Sequence, residues 1–141
     1  MKKLLGLAMA AALLMSCSDD DNGSKVDMSE LTSGKWYYSS DKTIVAGQTV
    51  EDAAYVNDCA TKKDYTEFAA TTFTDVYHDT DCEVNTEFGT YTVSGETITA
   101  TMGGDTQTGT VKELNSNKLV IEATETFNGV TATYQTTYTK N

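Results

Sequence analysis

Much of the second half of the chain alternates between apolar and polar residues with a period of two. Residues 97–102 alternate strictly, so that Ile98, Ala100 and Met102 fall on one face of an extended strand and three threonines on the other. Short turn signals separate such segments, and Asn128-Gly129 is the strongest because a type I′ turn needs a positive φ at both positions. The pattern predicts a series of antiparallel hairpins.

The predicted elements cover the chain from residue 28 onward. A helical turn is expected over residues 28–33, capped by Asp27 or Ser29. Residues 48–64 show little periodicity and are expected to form a loop with a short helix. The predicted strands span residues 35–40 (with 42–45 as continuation or partner), 65–69, 71–78, 87–94, 96–102, 106–114, 118–127 and 130–140.

These segments amount to about eight strands, joined by short turns. A meander with one apolar face must either close on itself, which removes its exposed edges, or pack against a second sheet. The predicted fold class is therefore all-β, an antiparallel up-and-down barrel of about eight strands, with a β-sandwich as the alternative.

The start of the chain predicts export. Lys2 and Lys3 precede an apolar run over residues 4–15, which at about 1.5 Å per residue reaches about 18 Å of the roughly 30 Å of a bilayer core. A cleaved signal peptide over residues 1–16 fits this length. The residues Leu14-Met15-Ser16-Cys17 resemble the bacterial lipobox, which implies that Cys17 carries lipid and attaches the protein to a membrane.

An acidic run follows the cysteine. Residues 17–29 are interpreted as a lipidated, acidic tether and residues 30–141 as the folded domain. The run resembles the surface-export signal of Bacteroidota lipoproteins, which implies an outer-membrane lipoprotein exposed at the cell surface. A plain solvated tether is the alternative, and it leaves a periplasm-facing location open.

Net charge narrows the classes of partner. The full chain carries a formal net charge of −11. Removal of residues 1–16 takes away two lysines and no acid, which leaves a net charge of −13. Such a field repels phosphate backbones, so nucleic-acid binding is not expected. The 25 threonines and eight tyrosines favour sheet over disorder despite this charge.

Two cysteines remain once the first is assigned to lipid. In an exported chain Cys59 and Cys82 favour a disulfide, worth about 3 kcal/mol in the chain-entropy model. A metal site using Cys82 with His78, Asp79 and Asp81 is the competing interpretation. It is disfavoured because a thiolate beside hard carboxylates matches no common closed site, and no metal or cofactor is predicted.

The interior of the predicted barrel supplies the candidate binding residues. Asp75 is the one carboxylate that the alternation sends inward among aromatic and apolar groups, a lining that suits a largely apolar small ligand with one or two polar groups. A filled barrel without ligand, acting as a structural or protein-interaction lipoprotein with an envelope partner, is the alternative. The lumen candidates are Trp36, Tyr38, Phe73, Asp75, Tyr77, Tyr91, Met102 and Tyr134, with Val93, Ile98, Ala100, Leu119, Ile121, Ala123 and Tyr138 beside them.

Enzyme chemistry finds little support. His78 lies near Asp75 in sequence, but no nucleophile motif and no glycine-rich phosphate loop accompany it, so no catalytic residue is predicted. The acidic residues around it lack the spacing of an EF-type loop, and a solvated loop is favoured over a Ca²⁺ site. These residues are Asp79, Asp81, Glu83 and Glu87.

A family resemblance supports the barrel. Gly34-Lys35-Trp36, residues 89–99 and the closing segment 134–140 resemble the lipocalin-like domain of Bacteroidota lipoproteins over residues 30–141. The resemblance implies a calycin-type barrel in which Trp36 closes the base. Lipocalins stack an arginine from the last strand on that tryptophan. This chain has no arginine, so Lys140 is expected to take its place over the ring.

Overall fold

The structure, a computed structural model, describes residues 25–140. The signal segment 1–16 and Cys17 lie outside these residues, so the predictions made for them stay predictions. The described elements are α1 (Met28–Leu31), β1 (Lys35–Val45), β2 (Gln48–Ala54), β3 (Tyr65–Phe68), β4 (Thr72–His78), β5 (Val84–Ser94), β6 (Thr97–Met102), β7 (Asp105–Leu114), β8 (Lys118–Phe127) and β9 (Val130–Thr139).

The strands form one antiparallel sheet that closes on itself. Their order is β2-β1-β3-β4-β5-β6-β7-β8-β9, and β1 pairs in addition with β9. Strands β1 and β3 to β9 thus make an eight-stranded barrel, which confirms the predicted fold class over the β-sandwich. Closure is favourable because it leaves the barrel strands without unpaired edges along most of their length.

Strand β1 divides one of its edges between two partners. Its first residues pair with β3, as in Tyr37 opposite Tyr65, whereas its later residues pair with β2, as in Ser40 opposite Ala54. Strands β2 and β3 therefore pair with successive parts of the same edge of β1, and residues 55–64 leave the sheet between them. We call this segment the excursion.

The prediction of a loop with a short helix over residues 48–64 was wrong for its first part. Residues 48–54 form β2, and the excursion that follows has no helix. Every residue of β2 is exposed, so no buried face imposes alternation on its sequence. Backbone pairing to β1 forms the strand where side-chain pattern gives no signal.

One helical turn covers the base of the barrel. Asp27 caps α1 by accepting hydrogen bonds from the backbone of Ser29 (2.9 Å) and Glu30 (3.4 Å), so Asp27 is the cap and Ser29 is not. The hydrogen bond from the Ser29 hydroxyl, with those two, holds the pKa of Asp27 below its usual range. Among residues 25–140, no helix has the length and hydrophobicity needed to cross a bilayer.

A hydrophobic core fills the half of the barrel nearest α1. We call this half the lower lumen and the half toward the β1–β2 and β8–β9 turns the upper lumen. Val26 and Met28 pack on the core from below. Its buried members are Leu31, Trp36, Phe68, Tyr91, Ile98, Val111 and Leu119.

Gly89 makes room for an aromatic ring of this core. It faces the lumen opposite Phe73, whose ring occupies the space that a Cβ atom would need, and the carbonyl oxygen of Thr101 lies 2.6 Å from that position. We expect Gly89→Ala to lower the free energy of unfolding by about 1–3 kcal/mol, because the ring must leave its site.

Chemical denaturation measures this change. The matched control is Thr90→Ala, an exposed outward position on the same strand. Equal stability of the two variants would contradict the close packing of Phe73 on Gly89.

Candidate ligand site in the barrel lumen

The strand register places all eight predicted lumen residues on the inner face. Residues paired across neighbouring strands share a face, and the pairs Tyr38 with Tyr138, Phe73 with Gly89 and Tyr91 with Ala100 connect them around the barrel. Asp75 and Tyr77 continue the inner face of β4, as Met102 does on β6 and Tyr134 on β9. Their role in ligand binding stays a prediction.

Trp36 closes the base. It is fully buried, and its indole nitrogen donates a hydrogen bond to the carbonyl oxygen of Leu31 (2.8 Å). The Nζ atom of Lys140 lies 3.7 Å from the Trp36 ring centroid, as expected from the missing arginine. Burial lowers the pKa of Lys140, whose Nζ atom has no hydrogen-bond partner among the described residues. The base is therefore sealed by packing and a cation–π contact.

Aromatic rings fill the level above the base. Phe68 contacts Tyr91 edge-on with 5.2 Å between ring centroids and lies 6.1 Å from Phe73. The Tyr91 hydroxyl donates to the carbonyl oxygen of Ala69, which satisfies it within the fold. The lower lumen is thus occupied by side chains, and any ligand space within the barrel lies above it.

Asp75 organises the middle of the lumen. Its Oδ1 atom accepts a hydrogen bond from the hydroxyl of Tyr38 (2.9 Å) and lies 3.0 Å from the hydroxyl of Thr66. The Thr66 and Tyr38 oxygens are 3.1 Å apart, so the three groups form one compact network. Tyr138 stacks obliquely on Tyr38 with 4.8 Å between centroids. The network presents a carboxylate and phenol groups to the upper lumen.

The expectation that Asp75 is the lone inward carboxylate was wrong. Glu87 faces the lumen and lies 3.4 Å from the Tyr77 hydroxyl, and Asp41 accepts a hydrogen bond from Thr136 (2.9 Å) on the same face. Glu125, opposite Ala132, continues this face toward the mouth.

Some of the missed residues left a signal in the sequence. Counting back by twos from Tyr91 reaches Glu87, and counting back from Phe68 reaches Thr66, so period two alone could have placed both inside. Asp41 could not be found in this way because a bulge at Ser39 shifts the face of the rest of β1.

The lysines described by the structure lie elsewhere. Lys35 lies over the ring of Tyr65 on the outside of the barrel, Lys42 is near Asp52, and Lys118 pairs with Glu113 at 2.7 Å. Lys62 and Lys63 belong to the excursion, Lys25 and Lys140 to the base, and Lys112 is exposed on β7. Among residues 25–140, the charged side chains facing the upper lumen are therefore acidic.

The phenol groups around Asp75 are held neutral by their surroundings. Burial, with the nearby Asp75 charge, raises the pKa of Tyr38 and of Tyr138 well above the ordinary 10.0. Burial and the hydrogen bond to Asp64 raise the pKa of Tyr55 in the same way. These hydroxyls therefore stay protonated, as hydrogen-bonding groups without charge, further into the alkaline range than ordinary tyrosines do.

His78 lies on the other face of β4 from Asp75. Its Nδ1 atom is 3.2 Å from the Oδ1 atom of Asp64, and its backbone N–H donates to the same oxygen (2.7 Å). The structure therefore separates His78 from Asp75, the pair that an enzymatic interpretation would need together.

The disulfide and the β4–β5 turn engage residues of both metal interpretations. Cys82 is bonded to Cys59, as predicted, so its sulfur is not available as a ligand. Asp79 instead holds the β4–β5 turn by accepting the N–H groups of Asp81 (3.0 Å) and Glu83 (2.9 Å). No group of three or more metal-binding side chains occurs in the part of the chain that the structure describes.

The mouth carries exposed apolar side chains. Phe127 (77% exposed) and Val130 (52%) pair across the β8–β9 turn at the rim. The β1–β2 turn lies next to it, since the Ala46 N–H donates to the carbonyl oxygen of Thr131 (3.3 Å). The rim of the barrel therefore exposes apolar surface.

A concavity opens at the base. It has a volume of about 460 Å³ and lies between the segment before α1 and the β3–β4 and β5–β6 turns. Val26 holds its edge through a hydrogen bond to the carbonyl oxygen of Gly95 (3.1 Å). It is separated from the upper lumen by the packed core.

Comparison with known proteins assigns the family. The family model of the lipocalin-like domain matches residues 33–121, more than half of the chain. The chain belongs to this lipocalin-like family. The fold of the family is typically that of binding proteins. Among curated proteins none matches significantly.

Solved structures share the fold at low sequence identity. A lipocalin-like protein from Bacteroides uniformis aligns with a TM-score of 0.51 and 15% identity, over 74% of this chain and 97% of that one. Lobster apocrustacyanin A1 aligns with a TM-score of 0.56 and 11% identity, over 82% of this chain and 63% of that one. Apocrustacyanin C1 aligns with a TM-score of 0.55 and 11% identity, over 81% of this chain and 63% of that one. Such identities establish the fold alone.

The buried phenols predict how this lipocalin-like domain responds to alkali. A raised pKa in the folded state gives stability that is fully present below the unfolded value of 10.0 and is lost as pH rises above it. We expect tyrosinate absorbance of Tyr38, Tyr55 and Tyr138 to appear together with loss of near-ultraviolet circular dichroism. Full ionisation of all eight tyrosines before unfolding would contradict this burial.

Proposed function

We propose that this protein is a lipid-anchored envelope lipoprotein that binds a small amphipathic molecule in its upper lumen. The family supports binding in general, and the division of the barrel into a filled base and a polar upper half supports the location. The observation that carries the proposal is the set of carboxylates and phenols on the inner face.

The lining suggests the chemistry of the ligand. Asp75, Glu87 and Asp41 offer acceptors, the Tyr38 and Tyr77 hydroxyls lie beside them, and the described lysines lie elsewhere. Apolar surface comes from Ala100, Met102, Ala123 and the rim. The preferred ligand has an apolar body and a polar end that donates hydrogen bonds or carries positive charge, since an anion would be repelled.

The point at which the tether joins the domain supports an outward direction for the mouth. The chain enters the domain at the base, where Val26 bonds to Gly95, and the mouth lies at the opposite end. A lipid on Cys17 would then hold the base toward the membrane and turn the mouth outward. On an outer-membrane protein facing the surroundings, this orientation suits capture of a molecule from outside.

Two dyes of nearly equal apolar shape test the ligand class. N-phenyl-1-naphthylamine is neutral, and 8-anilino-1-naphthalenesulfonate adds one negative charge. We expect fluorescence titration to give at least about tenfold tighter binding of the neutral dye, or about 1.4 kcal/mol. Tighter binding of the sulfonate would overturn the proposed preference.

A pair of adjacent substitutions tests the location. Ala123 faces the lumen and Thr124 faces outward on the same strand. Ala123→Trp is expected to abolish binding of the neutral dye and Thr124→Trp to leave it unchanged. Absence of binding in the unmodified protein would favour a filled barrel that acts through its outer surface.

Anchoring has its own test. Expressed in a bacterium with lipoprotein processing, the chain is expected to partition into the detergent phase of a nonionic-detergent phase separation, and Cys17→Ser into the aqueous phase. Equal partition of the two, or an intact mass that still includes residues 1–16, would contradict lipid attachment at Cys17.

A further inference from the structure

The barrel wall is interrupted beside the upper part of β4. Strand β3 has four residues, and its pairing with β4 ends where Tyr65 lies opposite Val76. Among the described strands, β2 pairs with β1 and not with β4. His78, two residues beyond the last pair, therefore has no strand beside it on this edge.

Side chains of the excursion fill this interruption. The fully buried Asp64 carboxylate accepts the His78 N–H, in the place where a backbone carbonyl of a longer β3 would stand. The Tyr55 hydroxyl donates to the other oxygen of Asp64 (2.7 Å). A side-chain network thus replaces the hydrogen-bond ladder, and it ties the excursion to β4 without regular pairing.

Both ends of the excursion start from the same place on β1. The Tyr55 N–H donates to the carbonyl oxygen of Ser39 (2.8 Å), and the Tyr38 N–H donates to that of Asp64 (3.3 Å). The far side is attached to the β4–β5 turn by the Cys59–Cys82 disulfide and, beside it, by a hydrogen bond from the Lys62 Nζ atom to the Cys82 carbonyl oxygen (3.1 Å). This is the geometry of a flap with two adjacent attachments on one edge and a covalent one on the other.

The inner face of the flap belongs to the lumen wall. The Tyr55 ring stacks on Tyr38 with 4.9 Å between centroids and 25° between planes. Tyr38 in turn donates to Asp75 in the lumen network. Displacement of the excursion would therefore uncover the polar network from the side, independently of the mouth.

We propose that residues 55–64 form a side door to the lumen, held shut by the Cys59–Cys82 disulfide. A dithiol reductant would open it: one thiolate attacks the sulfur of Cys82, the more exposed residue of the two, and displaces the Cys59 thiolate. The second thiol then attacks the mixed disulfide, closes the reductant's own disulfide and releases the Cys82 thiolate, so that two electrons and two protons pass to Cys59 and Cys82. The access role of the door rests on the proposed lumen binding, whereas its opening does not.

Hydrogen exchange tests the opening without a ligand. In the double variant Cys59→Ser/Cys82→Ser, and in the native protein treated with dithiothreitol, exchange of the His78 amide and of residues 55–64 is expected to rise by about tenfold or more. Amides of β8 and β9 should change much less. The control is Val120→Ala, which removes buried side-chain volume on β8, a strand that does not pair with the excursion's neighbours β3 and β4, and leaves the disulfide intact.

Unchanged exchange at His78 after reduction would overturn the proposal. An increase spread evenly over all strands, equal to that of Val120→Ala, would overturn it as well, because it would report general loss of stability. Dithiothreitol acts on the already folded chain, so the test stands even if the double variant does not fold.

Stopped-flow binding of N-phenyl-1-naphthylamine tests access. A second path raises association and dissociation rates together, so both are expected to rise by about tenfold on reduction while the dissociation constant changes less than about twofold. Bound dye with unchanged rates would overturn the access role. If the dye does not bind the oxidised protein at all, the proposed function fails, and the exchange result still decides whether the door opens.

Discussion

Everything in this structure depends on the pairing of β1. One edge of β1 runs along β9 from Tyr37 to Val45 and closes the barrel, and the other is divided between β2 and β3. Backbone polar groups must be paired or solvated, so closure is obtained only if β1 satisfies both edges. The bulge at Ser39 lies at the point where the division occurs.

The division also explains the polar network between the excursion and β4. Where β3 ends, the edge of β4 needs an acceptor, and the buried Asp64 supplies it. A buried carboxylate is tolerated because the His78 N–H, its ring and the Tyr55 hydroxyl surround it. The disulfide adds a covalent connection at the same place, which is effective in a chain with few aliphatic residues.

The two halves of the barrel follow different physical rules. The lower lumen is close-packed around Trp36, with Gly89 on its wall where Phe73 needs room. The upper lumen keeps acceptors and hydroxyl groups on its inner face, and polar groups of this kind are costly unless they are hydrogen-bonded or meet a polar partner. Packing at one end therefore gives stability, and the acceptors and hydroxyl groups at the other end are those on which the proposed recognition rests.

The sequence by itself determined the local structure and most of the inner face. Period two and the turn residues predicted eight of the nine strands, and the same alternation placed Asp75 and Tyr91 inside, because a strand with one buried face must alternate. The exposed strand β2 and the inward turn of Asp41 were decided by tertiary structure. Neither follows from alternation. Strand β2 has no buried face, and the bulge at Ser39 reverses which residues of the rest of β1 face the lumen. The contact of Tyr55 and Asp64 with β4 was also decided there, because it joins an irregular segment to an interrupted edge that exists only once the barrel has closed.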